Sequence, residues 1–144
     1  MATIVGTGGN NSHVGSTNED DSIWGADGND TLRGGPTGGG GNTGGGNDFL
    51  DGGDGSDQLF GGADNDTLIG GNDTVGDSLF GGSGRDTADY SRYLTGLTAG
   101  GVGTFSTNTT SVTVNLGTGV ATGQGTDSLS SIENVLTGSG ADTI

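Results

Sequence analysis

The sequence predicts an all-β solenoid in which very short strands alternate with tight glycine turns. Three observations predict it: 36 of the 144 residues are glycine, a nine-residue unit recurs over the first 89 residues, and no segment has helical periodicity with caps. Only 26% of the residues are apolar, too few for a conventional core at this length. We therefore expect something other than apolar burial to complete the fold.

The repeating unit places glycines first, Asp sixth and an aliphatic residue eighth, as in G-A-D-G-N-D-T-L-R. Counted in nines, units follow one another without a break over residues 7–69. An eleven-residue unit at 70–80 and a last unit at 81–89 complete the series. The clearest copies begin at Gly25, Gly52, Gly61 and Gly81.

One unit, residues 34–42, reads G-G-P-T-G-G-G-G-N and has lost both its Asp and its aliphatic residue. Its length of nine favours a degenerate repeat that keeps the register. A glycine linker is the alternative, because such a composition also forms flexible connections. We carry the in-register interpretation forward.

The last three residues of each unit, such as Thr67-Leu68-Ile69, are polar, aliphatic and variable. This pattern suits a short strand whose middle side chain points inward, and two units then form a coil of 18 residues. Coils stacked about 4.8 Å apart would pair their strands in parallel. The expected inward residues are Val14, Ile23, Leu32, Leu50, Leu59, Leu68, Leu79 and Ala88, with Gly41 as a gap.

The charge balance is strongly acidic, with 18 acidic residues against three arginines and a net charge of -15. This argues against nucleic acid and anionic membrane surfaces as partners, since both require basic residues. No apolar stretch is long enough to insert into a membrane. The absence of cysteine excludes disulfides and thiolate metal sites.

Stacking of 18-residue coils would place each sixth-position Asp above another. One expected column is Asp30, Asp48, Asp66 and Asp86; the other is Asp21, Gly39, Asp57 and Asp77. Like charges about 5 Å apart repel, and a hard cation with oxygen ligands converts the repulsion into attraction. Calcium fits this donor set better than magnesium or zinc. We expect about three ions in the first column and one good ion in the second.

Acidic residues outside the sixth position are expected to be surface charges or turn formers. They are Glu19, Asp20, Asp27, Asp51, Asp54 and Asp64, while Asp73, at the insertion, could be a spare ligand. His13, the single histidine, is expected to point outward as polar surface.

The repeat resembles the nonapeptide of the repeats-in-toxin (RTX) family, G-G-x-G-x-D-x-U-x. The resemblance implies a right-handed parallel β-roll that binds several Ca²⁺ ions through sixth-position carboxylates and glycine-turn carbonyls. It also implies a secreted, extracellular bacterial protein that is exported unfolded and folds in external calcium. The implied carboxylate ligands are Asp21, Asp30, Asp48, Asp57, Asp66, Asp77 and Asp86. The implied carbonyl ligands belong to Gly25, Gly28, Gly46, Gly52, Gly55, Gly61, Gly81 and Gly84.

The sequence divides into the calcium-binding roll, residues 1–89, and a β-rich continuation, residues 90–144. The continuation is expected to contain a loop or hairpin insertion at about 91–110, further short strands, and an incomplete repeat at 137–144. Asp142 would then lack a following coil within this chain.

Ninth-position side chains point outward, and the expected register groups Trp24, Asn42, Phe60 and Phe80 on one face. Three explanations for this aromatic stripe stay open: the 91–110 insertion covers it, a partner binds it, or it is a ladder of stacked rings.

Catalytic motifs such as H-E-x-x-H and G-x-S-x-G are absent, and the repeat explains the paired acids more simply than glycoside hydrolysis does. We therefore expect a non-enzymatic, calcium-dependent structural module. Unpaired strand edges at both ends suggest head-to-tail assembly into a homo-oligomer or filament. A calcium-binding fragment of a larger secreted adhesin or enzyme is the alternative.

Overall fold

The computed structural model describes residues 1–38, 41–42, 44–95 and 104–144. Within those ranges it contains strands and no helix. The strands are β1 (Thr3–Val5), β2 (Ser12–Val14), β3 (Ser22–Asp27), β4 (Thr31–Arg33), β5 (Thr37–Gly38), β6 (Gly41–Asn42), β7 (Phe49–Asp54), β8 (Gln58–Ala63), β9 (Thr67–Ile69), β10 (Ser78–Ser83), β11 (Thr87–Tyr90), β12 (Arg92–Thr95), β13 (Thr104–Thr107), β14 (Thr113–Asn115), β15 (Val120–Thr122), β16 (Thr126–Ser130) and β17 (Asn134–Thr137).

Successive repeats alternate between two facing sheets. The first sheet has the order β1-β3-β7-β9-β11-β17, and the second has the order β14-β15-β16-β10-β8-β4-β2. All pairings in the first sheet are parallel, as are those from β2 through β16 in the second. The prediction of an all-β parallel roll is therefore confirmed.

A single aliphatic row runs between the sheets. Its members, Ile23, Leu32, Leu50, Leu59, Leu68, Leu79 and Ala88, have no exposed surface. These are the predicted eighth-position residues, so the alternation within the strand triplets is confirmed. The row supplies one side chain per repeat, which is a thin core for two sheets.

The first coil is displaced by one residue from its expected register. Ile4 pairs with Ile23 and His13 with Leu32, an offset of 19 rather than 18 residues. The placement of Val14 inward and His13 outward is therefore wrong: Val14 is 44% exposed, and His13 occupies the inward position. The cause is one extra residue between Gly15 and Asp21, which face each other as first and sixth positions usually do.

The in-register interpretation of residues 34–42 is also wrong. Ser22 pairs with Phe49 and Thr31 with Gln58, so 27 residues separate neighbouring strands there. Strands β5 and β6 form a small antiparallel hairpin in a sheet of their own. The hairpin has neither an Asp for the turn column nor an aliphatic side chain for the inner row. Exclusion from the stack therefore keeps both rows continuous; Gly39 lies outside the described residues.

Glycines form the neck of this insertion. A Cβ on Gly35 would lie less than 3.0 Å from the Gly44 Cα, and a Cβ on Gly44 would meet Gly35 equally closely. Only residues without a side chain allow the two arms to approach so closely. The insertion thus begins and ends at two adjacent glycines, so the turn of the roll continues directly after it.

The segment after the repeats adds two antiparallel elements, a hairpin and a meander. Strands β12 and β13 pair as an antiparallel hairpin, and β14, β15 and β16 form an antiparallel meander. Strands β16 and β17 then continue the two sheets in parallel with β10 and β11. Asp142 accepts a hydrogen bond from the Val112 amide at 3.0 Å, and Thr143 bridges Thr113. Asp142 thus contacts the strand that precedes it, and the expectation that it lacks a following coil within this chain stays a prediction.

The nine-residue insertion also separates the aromatic residues that were expected on one face. Trp24 lies on the first sheet beside Asp51, whereas Phe60 and Phe80 lie on the second. The two phenylalanine rings stack at 4.7 Å, and the Arg33 guanidinium lies 4.0 Å from the Phe60 ring centroid. One face therefore has a ring ladder, and the β12–β13 hairpin packs on the other.

Candidate metal centre

The turns of the roll need a positive φ angle at the fourth position of the unit, which glycine supplies in most repeats and Asp64 in one. Gly28, Gly46, Gly55 and Gly84 have φ angles of 115°, 118°, 130° and 144°, which side chains disfavour. A Cβ on Gly55 would also lie less than 3.0 Å from the Gly28 carbonyl oxygen one coil away. The same glycine thus permits the turn and the close approach of successive turns.

The sixth-position carboxylates form two columns, one along each edge of the roll. The first column contains Asp21, Asp48, Asp66 and Asp86, with Glu133 next in line. The second column contains Asp30, Asp57, Asp77 and Asp127. All eight aspartates are at most 5% exposed.

One oxygen of each carboxylate has a structural role. The Oδ1 atom of Asp66 accepts a hydrogen bond from the Asp48 amide at 2.8 Å, and Asp86 Oδ1 accepts one from the Asp66 amide at 2.9 Å. The second column repeats this arrangement, with Asp57 accepting from Asp30 at 2.7 Å and Asp77 from Asp57 at 2.9 Å. Each carboxylate is thereby held in a fixed orientation against the coil below.

In five of these carboxylates the other oxygen has no partner among the described residues, whereas Asp21 Oδ2 accepts from the Ser16 amide. Five sixth-position Oδ2 atoms are buried without a hydrogen bond: those of Asp30, Asp48, Asp57, Asp66 and Asp86. A buried carboxylate oxygen without a donor is costly, and a whole row of them calls for an explanation.

These oxygens face the first-position glycines and carbonyl oxygens of the next coil. A Cβ on Gly61 would lie less than 3.0 Å from Asp66 Oδ2 and 2.7 Å from the Gly81 carbonyl oxygen. A Cβ on Gly52 would likewise meet Asp57 Oδ2, and it would lie 2.6 Å from the Gly70 carbonyl oxygen. Each turn therefore holds a small cradle, without a side chain, lined by carboxylate and carbonyl oxygens.

Burial raises the pKa of these carboxyls in the metal-free fold. The pKa of Asp48 rises to about 6, that of Asp57 to about 7, and those of Asp66 and Asp77 to about 8. Neighbouring carboxylates add to the effect, and the amide donors oppose it. Without a cation, the columns disfavour their own charge at neutral pH.

The donor set fits a hard cation with oxygen ligands. Calcium accepts six to eight oxygens, both carboxylate and carbonyl, in flexible geometry. No group of three His, Cys, Asp or Glu side chains is close enough to hold a metal within the parts of the chain that the structure describes. Any ion bound here therefore needs backbone carbonyls beside the carboxylates.

The composition of the columns corrects the sequence-based expectation. Asp30 was expected to stack with Asp48, but it stacks with Asp57; Asp21, rather than Asp30, precedes Asp48. The nine-residue hairpin causes the exchange. Both columns are continuous, so the predicted inequality between a full edge and a gapped edge has no structural basis.

Two acidic residues that continue the columns were missed. Asp127 accepts from the Asp77 amide at 3.0 Å, and Glu133 accepts from the Asp86 amide at 2.9 Å. Asp127-Ser128-Leu129 repeats the Asp77-Ser78-Leu79 pattern, so a shorter search template would have identified it. Asp127 differs in that its second oxygen accepts from the buried Tyr90 hydroxyl at 2.8 Å.

Acidic residues outside the columns have mixed roles. Asp20 accepts from the Asn47 amide at 2.8 Å, and Asp73 accepts from the Gly55 amide at 2.6 Å, so both hold turns together. Asp51 was expected to be a surface charge, but only 2% of it is exposed. That expectation is wrong, because the β12–β13 hairpin packs over its face.

Comparison with protein families identifies the repeat. The model of the RTX calcium-binding nonapeptide repeat matches residues 16–36, 42–75 and 76–89 in four copies. The chain belongs to this family. The matches omit residues 37–41, which fall in the β5–β6 insertion. A comparison with curated proteins finds none that matches the chain.

Membership of the RTX family makes this a chain of calcium-binding repeats. RTX repeats are typical of secreted bacterial proteins. No helix in the described parts of the chain is long and apolar enough to span a bilayer.

Proposed function

We propose that this RTX chain is a non-enzymatic, extracellular structural module that folds when calcium binds between its coils. The observation that carries the proposal is the row of buried Oδ2 atoms without hydrogen-bond partners in the described residues. A folded metal-free roll has to leave these oxygens unsatisfied or protonated. A calcium ion in each cradle removes that cost and links two coils.

The proposed ligands are the carboxylates of both columns and the carbonyl oxygens of the turns. The carboxylates are Asp21, Asp30, Asp48, Asp57, Asp66, Asp77 and Asp86; the carbonyls belong to Gly25, Gly28, Gly46, Gly52, Gly55, Gly61, Gly81 and Gly84. The first-position carbonyls of Gly52 and Gly81 lie beside the carboxylate oxygens of the preceding coil, which supports their inclusion. Because both columns are continuous, both edges should bind ions to similar extents.

The same chemistry supports an extracellular role, as does the typical occurrence of RTX repeats in secreted bacterial proteins. Low calcium inside a cell leaves the acidic columns unneutralised, so the chain stays unfolded for export. External calcium then supplies the folding free energy, as metal does in other small metal-dependent domains. A calcium-binding part of a larger secreted adhesin or enzyme is compatible with the same folding behaviour.

The test is circular dichroism of the metal-free chain titrated with calcium, and with magnesium as the matched cation. We expect a cooperative gain of β signal with calcium and little with magnesium, which requires tighter geometry. Equal β content with and without calcium would contradict the proposal. Calcium-dependent folding together with an intrinsic hydrolytic activity would contradict only its non-enzymatic part.

End-to-end association is the second candidate. Strands β1 and β17 lie at opposite edges of the first sheet, and each pairs on one side only within the described residues. Leu136 on β17 is 50% exposed and supplies apolar surface at this edge. Sedimentation velocity in calcium should show polymers that Leu136→Lys reduces, whereas a monomeric wild-type chain would exclude this function.

A further inference from the structure

A cavity of about 370 Å³ lies between the first sheet and the β12–β13 hairpin. Its walls include Trp24, Asp27, Asp51 and Asp54 from the sheet and Tyr93 from the hairpin. Pockets of this size accommodate small organic molecules. None of these side chains belongs to a calcium column, so the cavity is separate from the proposed metal sites.

The hairpin is anchored beside the cavity through aromatic contacts. Phe105 packs edge-on against Phe49 with ring centroids 5.8 Å apart, and Phe49 in turn lies 6.2 Å from Trp24. The Arg92 guanidinium lies 5.4 Å from the Phe49 centroid and 4.8 Å from that of Phe105. The cavity wall supplied by the hairpin is thus fixed to the sheet.

Asp51 is the unsatisfied charged group in the wall of this cavity. Its side chain is buried, and its Oδ2 atom has no hydrogen-bond partner among the described residues. Asp89, two strands away at the same position of its unit, is also buried. It accepts from the Ser91 amide at 2.9 Å and pairs with Arg92 at 2.8 Å. The comparison shows that a buried ninth-position carboxylate can be satisfied here, and that Arg92 is already engaged.

We propose that the cavity binds a small organic ammonium ion, with Asp51 as its counter-ion. Three carboxylates in the wall repel anions, and a cation gives Asp51 the donor and the charge that it lacks. The aromatic faces of Trp24 and Tyr93 attract an organic cation. A metal held by side chains is disfavoured, because no cluster of three acidic groups forms in the described residues.

A neutral polyol is the alternative ligand, because its hydroxyl groups offer both a donor to Asp51 and an acceptor to the buried indole N–H of Trp24, which has no partner among the described residues. An unpaired buried carboxylate costs more than an unpaired N–H, so the cation satisfies the costlier group. The two ligands differ in charge, and the experiment separates them on that basis.

Trp24 is the single tryptophan of the chain and therefore reports on the cavity. The calcium-saturated protein is titrated with n-butylammonium chloride, with potassium chloride at equal ionic strength as the blank. We expect a saturable change in Trp24 fluorescence. In Asp51→Asn the midpoint should rise at least about tenfold. The midpoint should stay unchanged in the control Asp20→Asn. This variant removes an exposed negative charge, and the oxygen of the new asparagine can still accept the hydrogen bond from the Asn47 amide.

Several results would overturn the proposal. Equal responses to butylammonium and potassium would show an ionic-strength effect, and a response to glucose alone would show a polyol site. If Asp51→Asn binds butylammonium as tightly as the wild type does, Asp51 is not the counter-ion of the ligand. Circular dichroism in calcium verifies that this variant folds; if it does not, Tyr93→Ala on the hairpin decides, since it should also weaken binding. Failure of the chain to fold in calcium would instead contradict the proposed function.

Discussion

The repeats between residues 16 and 89 and the segment between 111 and 137 extend the same two sheets, but they bury different groups. Each stacked repeat buries one aliphatic side chain and one carboxylate, and five of these carboxylates have an oxygen without a partner among the described residues. The later segment buries Val112, Val114, Ala121 and Leu129 together. Its buried carboxylate, Asp127, has both oxygens hydrogen-bonded. Its strands β14 to β16 pair with their sequence neighbours, and β16 alone of the three also pairs with a strand of the repeats, β10.

This difference indicates which region of the chain depends on calcium for its stability. In the repeats, apolar burial is too thin to offset the ordering of so many glycines, so we expect bound cations to supply much of the stability. In the later segment, we expect local antiparallel pairing and clustered apolar side chains to supply stability without calcium. That segment therefore caps one end of the roll and provides β16 and β17 as its last strands.

Calcium removal should produce the largest difference between the two regions. In chelator, amide hydrogens of residues 22–90 should exchange without protection, because the carboxylate columns repel and each coil depends on the next. Amides of the β14–β16 meander should retain measurable protection. Hydrogen-exchange mass spectrometry resolves the two regions in one experiment. Equal loss of protection in both would show that the segment has no stability of its own.

A matched pair of substitutions should show the next largest effect. Asp66→Asn removes charge from an oxygen that faces the turn cradle, so the calcium midpoint of folding should rise at least about tenfold. Asp127→Asn alters a carboxylate that is already satisfied. It should cost only about 1 kcal/mol through the Tyr90 contact and leave the calcium midpoint nearly unchanged. Calcium titrations followed by circular dichroism measure both. Equal shifts would place Asp127 among the metal ligands.

Much of the roll was predictable because the residue pattern within each repeat determines its own turn and strand. The eighth-position row and the burial of the sixth-position aspartates follow directly from the spacing. The order of stacking was not predictable, because it depends on whether one unit is inside the stack. Residues 34–42 have the right length, and only the loss of both an Asp and an aliphatic residue indicates that they leave it. The burial of Asp51 was equally inaccessible, since it depends on a hairpin more than forty residues away.

Protonation of the buried carboxyls at low pH should partly substitute for calcium in stabilising the repeats. Burial raises the pKa of Asp57 to about 7 and those of Asp66 and Asp77 to about 8, above the unfolded value of about 3.9. The folded metal-free chain therefore binds more protons than the unfolded chain between about pH 4 and 8, and its stability falls as pH rises through this window. Metal-free protein should gain β signal between pH 8 and pH 5.

The triple variant Asp57→Asn, Asp66→Asn, Asp77→Asn is the control for this acid effect. Its metal-free β signal should depend less on pH, because three column carboxyls with raised pKa values no longer titrate. A wild-type chain whose metal-free β signal does not change between pH 8 and 5 would contradict the prediction.

Removal of the β5–β6 hairpin should have the smallest effect, and it tests the corrected register directly. Deletion of residues 35–43 joins Gly34 to Gly44 and leaves G-G-G-G-N-D-F-L-D, a regular unit that keeps Asp48 and Leu50 in place. We expect a calcium midpoint within about twofold of the wild type and slightly higher stability, since a loop is shortened. Deletion of residues 52–60 removes the same number of residues but takes out Asp57 and Leu59. It also moves every later strand to the opposite sheet, so β9 would follow β4 and β10 would follow β7. Thermal denaturation in calcium should therefore separate the two deletions clearly. Equal losses would mean that the hairpin is part of the stack, as its length alone suggests.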